Sequence, residues 1–124
     1  MNTLVESLPI YIRIVEGIKD HILSGDLKED NQLPSTTYLS KEYKINIATV
    51  NKAMNILVDE DLAYKKRGIG MFVKKGALEK LINDRRDTFK EGYIKATLIE
   101  AKRLNYSIEE LQEIVKQAYE EMSK

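Results

Sequence analysis

Residues 33–73 constrain this chain more than any other stretch. They contain two short amphipathic helical patterns, which are separated by Lys44, Ile45 and Asn46 and followed by a basic segment with two glycines. Two helices that are joined by so short a turn are typical of a helix-turn-helix. The stretch therefore predicts a pair of packed helices, followed by a two-stranded hairpin.

The two helices of this stretch carry clear start signals. Ser35 and Asn46 are good N-caps, because their side-chain oxygens can accept hydrogen bonds from the first turns. The first helix is expected to carry Tyr38 and Leu39 inwards, with Tyr43 as a further candidate. The second helix is predicted over residues 47–61, and its apolar residues recur at helical spacing. These predicted core residues are Val50, Ala53, Met54 and Leu57.

A supporting helix precedes the stretch. Pro9 suits the first turn of this helix, and Gly25 suits a left-handed cap at its end. The only histidine of the chain, His21, lies on this helix. A lone helical histidine is usually a surface residue, so we predict no ligand or catalytic role for it.

The second helix of a helix-turn-helix normally enters the major groove of DNA and presents its first turn to base edges. Here Ile47 or Ala48 can contact a thymine methyl group, and Asn51 carries an amide suited to adenine. Thr49 can donate to a base or a phosphate, and Lys52 can bind a phosphate. Spacing alone leaves open an ordinary helical hairpin in a small helical domain.

The distribution of charge adds to this interpretation. The whole chain has no net charge, with 20 basic and 20 acidic residues, so it lacks the bulk positive charge of many nucleic-acid-binding proteins. Residues 62–76 nevertheless contain five cations and no acid. These cations are Lys65, Lys66, Arg67, Lys74 and Lys75. They can form a phosphate-binding patch or an exposed hairpin edge whose lysines prevent aggregation.

The same segment has the composition of a wing, the hairpin that follows the recognition helix in winged domains. Residues 63–66 and 71–75 are strand-like, and residues 67–70 bend between them. Gly68 and Gly70 allow positive φ angles, so the tip can approach the DNA backbone or the minor groove. A phosphate-binding loop of an enzyme is a poor alternative, because the segment lacks the G-x-x-x-x-G-K-[ST] pattern.

The C-terminal third predicts two further helices. The first begins at Ala77 and ends near Asn105, with Gly92 as a weak point, and Ser107 with Glu110 forms a capping-box signature for the second. Two amphipathic helices outside a complete winged domain need an apolar partner. We expect the same pair from a second copy of the chain, and the alternative is packing against their own domain. The predicted dimerisation residues are Leu81, Phe89, Tyr93, Leu111, Ile114 and Val115.

Composition excludes several classes of protein. The chain is 43% hydrophobic and 32% charged, which provides a core and argues against disorder. It has no cysteine and one histidine, so disulfides and soft metal sites are not expected. No acid pairs with a nucleophile in a recognisable pattern, so an enzyme is not expected. No apolar run approaches the roughly 20 residues that cross a bilayer, and we expect a cytoplasmic protein without cofactor.

The chain resembles the GntR family of bacterial transcription regulators, in particular its small YtrA-like subfamily. Residues 9–35 (PIYIRIVEGIKDHILSGDLKEDNQLPS) are similar to the first helix of the family and the approach to its LPS motif. Residues 48–73 (ATVNKAMNILVDEDLAYKKRGIGMFV) are similar to its recognition helix and wing, which usually closes with G-x-G-x-F-V. The tail resembles the subfamily's dimerisation region and is too short for larger effector-binding domains.

Together these features predict a mostly α fold with a small β-hairpin, in which a winged helix-turn-helix domain (residues 1–76) precedes a two-helix dimerisation region (residues 77–124). The resemblance implies a homodimeric repressor that binds a palindromic operator in double-stranded DNA, often of its own or a neighbouring transporter operon. A small-molecule effector, if there is one, would act at the dimer seam. The predicted DNA-binding residues are Ser35, Thr36, Thr37, Asn46, Ile47, Ala48, Thr49, Asn51, Lys52, Lys66, Arg67, Gly68 and Gly70. The alternative is a winged-helix protein-interaction module without specific DNA binding.

Three positions depart from the family pattern. Thr37, Ile47 and Asn51 stand where many branches of the family carry arginine, and at the position of Ile47 the YtrA-like branch commonly has proline. The chain therefore lacks arginines that pair with guanine through two hydrogen bonds. We expect an operator that is read through more A·T contacts, or through DNA shape and phosphates.

Overall fold

The computed structural model describes residues 8–124, which form two compact units that divide between Asn83 and Asp84. The first unit contains α1 (Ile10–Ser24), α2 (Thr36–Tyr43), α3 (Ile47–Asp59), β1 (Ala63–Lys66), β2 (Gly70–Val73) and the start of α4 (Ala77–Thr88). The second unit contains the end of α4, a π-helical segment (Phe89–Ile94), α5 (Lys95–Arg103) and α6 (Ile108–Met122). The predicted fold class, mostly helical with one small hairpin, is confirmed.

Local side-chain signals set the ends of the first three helices. The Ser35 hydroxyl accepts a hydrogen bond from the Tyr38 backbone N–H at 3.0 Å, and Asn46 Oδ1 accepts one from the Thr49 N–H at 3.0 Å. Gly25 ends α1 in the left-handed conformation, with φ of +90°. All three caps agree with the sequence-based prediction.

The core of the first unit lies between α1, α2, α3 and the hairpin. The four core residues predicted for α3, Val50, Ala53, Met54 and Leu57, are all buried. On α2, Leu39 is buried as expected, but Tyr38 is 56% exposed, so its predicted inward orientation is wrong. The physical reason is the packing of α2 against the core, which buries Leu39 of this helix and leaves Tyr38 on the surface.

A third extended segment pairs with the hairpin. β1 and β2 are antiparallel, with Tyr64 opposite Phe72. On the other edge of β2, Gln32 pairs with Phe72 as an isolated bridge, and the Leu33 N–H donates to the Met71 carbonyl at 2.8 Å. The wing is therefore connected through backbone hydrogen bonds to the chain that leads into α2.

The start of α4 belongs to the core of the first unit. Ala77 and Leu81 are buried with the residues of α1 and α3 in one hydrophobic cluster. Leu81, predicted above as a dimerisation residue, is 2% exposed, so it is not available to a second copy. The domain boundary predicted after residue 76 coincides with the start of α4, whereas the compact unit continues to Asn83.

The second unit exposes most of its apolar side chains. Helix α4 continues through the π-helical segment, which contains Gly92, into α5. The predicted capping box is present, because Ser107 Oγ accepts from the Glu110 N–H and Glu110 Oε1 accepts from the Ser107 N–H. Within residues 84–124, Ala101 is the only buried residue. Across residues 8–124, no helix combines the length and apolar character that a membrane span requires.

Candidate nucleic-acid interface

The first turn of α3 presents three side chains to solvent. Ile47 is 49% exposed, and Ala48 and Asn51 are also exposed. Thr49 is half-buried, and its hydroxyl lies 3.3 Å from Asn46 Oδ1. Asn46 and Thr49 therefore stabilise the start of the helix, whereas Ile47, Ala48 and Asn51 are the groups that face outwards.

Lys52 lies beside the start of α1. Its Nζ is 4.1 Å from the centre of the Tyr11 ring, a distance at which a cation is attracted to an aromatic face. Lys52 is exposed, so its charge remains accessible while the ring holds the side chain. The predicted cation of the recognition helix is thus oriented by a residue of α1.

The start of α2 contributes hydroxyl groups next to α3. The Ser35 hydroxyl caps the N-terminus of α2. Thr36 is the first residue of this helix and is half-buried. Thr37 is exposed, in agreement with its predicted place on the interface. Three of the predicted DNA-binding residues therefore lie at one end of the helix-turn-helix.

The tip of the wing carries cations around an exposed apolar side chain. Gly68 has φ of +78° and Gly70 has φ of +146°, so both adopt the positive φ angles expected for them. The Ile69 N–H donates to the Lys66 carbonyl at 3.0 Å, which closes the turn. Ile69 is 65% exposed, and Arg67 is exposed beside it.

A cleft lies between α3 and the wing, and both polar and apolar residues line it. The polar and glycine residues that line it are Gln32, Ser35, Thr36, Asn51, Asn55, Lys65 and Gly70. Three of them, Gln32, Asn55 and Lys65, were not among the predicted site residues. Asn55 could have been found, because it lies one turn after Asn51 on the same helical face.

Tyr64, Lys66 and Phe72 share one face of the hairpin, and this face is aromatic. The rings of Tyr64 and Phe72 stack with centres 5.6 Å apart, and Lys66 Nζ lies 4.7 Å from the centre of Phe72. The Tyr64 hydroxyl donates to Asp30 Oδ1 at 2.7 Å. This hydrogen bond to a carboxylate raises the pKa of Tyr64 above its ordinary value.

The second unit carries an apolar surface on α6. Ile108, Leu111, Val115 and Tyr119 line a shallow groove along this helix, and Ile114 is exposed beside it. Phe89 and Tyr93, the other predicted dimerisation residues of this unit, are exposed with ring centres 6.3 Å apart. Five of the six predicted dimerisation residues are therefore at least partly accessible, and Leu81 is the exception.

Two bacterial repressors are similar to this chain. YtrA, an HTH-type transcriptional repressor of Bacillus subtilis, is 31% identical over 111 residues, which cover 90% of this chain and 85% of YtrA. NagR, an HTH-type transcriptional repressor of the same organism, is 37% identical over 75 residues, or 60% of this chain. The chain covers only 31% of NagR, so that similarity is limited to one part of the relative.

Solved structures show the same architecture. A GntR family transcriptional regulator from Listeria monocytogenes superposes with a TM-score of 0.73 at 28% identity, and the match covers 90% of this chain and 96% of that one. The DNA-binding domain of AraR in complex with the operator ORR3 matches with a TM-score of 0.51 at 32% identity. That match covers 53% of this chain and 80% of the AraR domain.

The family model agrees with both results. The model of the bacterial regulatory proteins of the gntR family matches residues 10–73, which contain α1 to α3 and the wing. This is more than half of the chain, and the match with YtrA, over 90% of the chain, extends the similarity into the second unit. The chain belongs to the GntR family of bacterial regulatory proteins.

Proposed function

We propose that this protein is a homodimeric transcriptional repressor that binds a specific operator in double-stranded DNA. The observation that carries the proposal is the cleft between α3 and the wing, which has Asn51 and Asn55 of α3 on one side and Lys65 of the wing on the other. The DNA-binding domain of AraR, which matches 53% of this chain, is bound to an operator in its crystal structure, and this supports the same mode of binding here.

The chemistry of this interface suits duplex DNA. Ile47 and Ala48 offer apolar groups that fit a thymine methyl, and Asn51 offers an amide that can pair with adenine. Arg67 at the tip and Lys65 in the cleft can neutralise phosphates. All five side chains are exposed, so none has to leave a packed position to bind.

We propose further that the operator is read mainly through A·T pairs and DNA shape. The exposed first turn of α3 carries Ile47, Ala48 and Asn51, and none of these can pair with guanine as arginine does. Selection of operators from a random DNA library tests this directly. Selected sites whose central contacted bases are G·C would contradict it.

The proposed repression is steric. Two copies that associate through the exposed apolar residues of α6, with Phe89 and Tyr93, would place two recognition helices about 34 Å apart, or one turn of DNA. A dimer bound to a palindromic operator with this spacing would block the access of RNA polymerase to a promoter in the cytoplasm. The relatives YtrA and NagR are repressors, which supports repression here and not activation. We expect the protein to control its own operon or a neighbouring one.

The proposed dimer also offers a mechanism by which a small-molecule effector would control DNA binding. A small molecule that bound at the dimer seam would change the spacing of the two DNA-binding units and so the affinity for the operator. Operator titrations in the presence of candidate metabolites test this, because a true effector shifts the affinity without changing binding to random DNA.

The first experiment is a fluorescence anisotropy titration with promoter DNA from upstream of the protein's own gene. It uses about 50 mM and about 200 mM salt, since phosphate contacts make DNA binding fall steeply with salt. Random DNA of equal length is the competitor. We expect tight binding that survives the competitor and weakens at the higher salt concentration.

A charge-reversed variant separates DNA binding from docking to another protein. Replacing Lys66 and Arg67 with glutamate should abolish DNA binding, because the wing would then repel phosphates. A contact with a protein that depends on apolar surface would be largely unaffected. Equal binding to operator and random DNA at both salt concentrations would contradict the repressor proposal.

A further inference from the structure

We propose that Gln32 is a positioning residue for the wing, whose side-chain amide holds the tip, residues 67–69, in a fixed orientation to α2 and α3. Its expected effect on DNA affinity rests on the proposed function, whereas the order of the tip in the free protein does not. Gln32 lies in the polar connector that precedes α2, far from the wing in sequence.

Backbone pairing places Gln32 next to the wing. The residue lies opposite Phe72, between two hydrogen bonds from the Leu33 N–H to the Met71 carbonyl at 2.8 Å and from the Val73 N–H to the Asn31 carbonyl at 2.9 Å. In an antiparallel arrangement, a residue two positions from the direct partner lies diagonally on the same face. That diagonal neighbour of Gln32 is Gly70.

The side chain of Gln32 fills the space that Gly70 leaves. Gln32 Nε2 donates to the Ile69 carbonyl at 3.2 Å. A Cβ atom on residue 70 would lie 2.7 Å from that same Nε2, which is closer than non-bonded atoms approach. Two features therefore require glycine at position 70. Its φ of +146° is one that other residues rarely adopt, and a side chain there would keep the Gln32 amide from the tip.

Gln32 links the tip to a rigid part of the first unit. The next residue, Leu33, is 4% exposed and belongs to the hydrophobic core, and Ser35 caps α2. The tip itself is closed by the bond from the Ile69 N–H to the Lys66 carbonyl. The Gln32 amide donates a further hydrogen bond to the Ile69 carbonyl and so connects the tip to the segment that leads into α2.

A fixed tip matters because binding that must first order a loop loses affinity. Arg67 lies on the tip, so its distance from a phosphate depends on the orientation of the turn. Without the amide, we expect the tip to sample several orientations and the contact from Arg67 to weaken. Gln32 would then contribute to DNA affinity without touching the DNA.

The test variant is Gln32→Met, which keeps the length of the side chain and removes the hydrogen-bond donor. The matched control is Gln117→Met on α6, whose Nε2 also donates an exposed hydrogen bond, to Glu113. We expect Gln32→Met to bind the operator about threefold to tenfold more weakly, the range for loss of one hydrogen bond. The control should keep the affinity of the wild type.

A double-mutant cycle with Arg67→Ala separates positioning from direct contact. If Gln32 acts through the tip, its substitution should change the affinity by less than about twofold once Arg67 is absent, because coupled residues are not additive. Additive effects would show that Gln32 contacts the DNA itself and would overturn the proposal. An unchanged affinity of Gln32→Met in the wild-type background would overturn it as well.

Backbone ¹⁵N relaxation in the free protein tests the same idea without DNA. We expect lower order parameters for the amides of Gly68 and Ile69 in Gln32→Met than in the wild type, and unchanged values in α3. Equal order in both proteins would overturn the proposal. If the wild type fails to bind any operator, the proposed function fails, and the relaxation result still decides whether Gln32 holds the tip.

Discussion

Lys65 and Lys66 are adjacent in β1 but lie on opposite faces of the wing. Lys65 lines the cleft beside α3, whereas the ammonium of Lys66 lies over the ring of Phe72. This alternation follows from the pleat of a strand, in which successive side chains point to opposite faces. The two lysines therefore have different access to DNA that is bound against the recognition helix.

We expect Lys65→Ala to weaken operator binding more than Lys66→Ala. Loss of one phosphate contact reduces affinity about fivefold near physiological salt and lowers the slope of log affinity against log salt by about 0.9. Salt titrations of both variants measure these slopes. Each variant serves as the control for the other, because both remove one charge from the same strand. Equal losses of operator affinity in the two variants would mean that both faces of the wing contribute equally to DNA binding, which contradicts this prediction.

The N-cap of the recognition helix provides a prediction about stability. Asn46 accepts hydrogen bonds from the N–H of Thr49 and from its hydroxyl, so Asn46→Ala leaves the first turn of α3 uncapped. We expect the free energy of unfolding to fall by about 1 kcal/mol, measured by urea denaturation at fixed protein concentration. Asn46→Ser should restore most of the loss, because serine also caps helices. A serine variant as unstable as the alanine variant would contradict the capping role.

The hydrogen bond between Tyr64 and Asp30 predicts a dependence of stability on pH. The Asp30 carboxylate accepts the phenolic proton and so raises the pKa of Tyr64 in the folded state. A raised folded-state pKa means that the stabilisation is complete below the unfolded pKa of about 10. It is then lost as the pH rises through the folded-state pKa.

The Tyr64→Phe variant tests whether this stabilisation is lost as the pH rises. We expect the wild type to be more stable than the variant at neutral pH and the difference to shrink above about pH 10, as measured by chemical denaturation at several pH values. Asp30→Asn should likewise reduce the shift in pKa, because the carboxylate is its main cause. A difference that stays constant through the alkaline range would show that the hydrogen bond does not couple to folding.

Helix ends and core stripes could be predicted from the sequence because their causes are local. Ser35, Asn46 and Ser107 each bond to a backbone N–H three residues away, so the signal and the structure lie in the same few residues. The buried stripe of α3 follows from its periodicity in the same way. These features place the first turn of the recognition helix, and most of the predicted interface, correctly on the surface.

The features that could not be predicted depend on contacts between distant residues. The pairing of Gln32 with β2 has no periodic signal, because Asp30, Asn31 and Gln32 are all polar. The outward orientation of Tyr38 depends on how α2 packs and not on its spacing. Leu81 has the same helical spacing as the exposed residues that follow it, and only the packing of α4 in the first unit shows that it belongs to the core.

The apolar surface of α6 predicts the oligomeric state of the chain. Val115 is 54% exposed and lines the apolar groove of α6, so we expect Val115→Glu to place a charge inside the proposed dimer interface. Such a buried, unpaired charge is costly enough to dissociate a small interface. Sedimentation equilibrium should show a dimer for the wild type and a monomer for the variant.

Gln117→Glu is the matched control, because it adds the same charge about 200° around the helix from residue 115. We expect it to remain a dimer. Affinity for the full palindrome should fall only for Val115→Glu, whereas binding to DNA that holds a single half-site should be equal in all three proteins. Equal half-site binding separates lost dimerisation from lost folding of the first unit. A Val115→Glu protein that remains dimeric would place the interface elsewhere than on this face of α6.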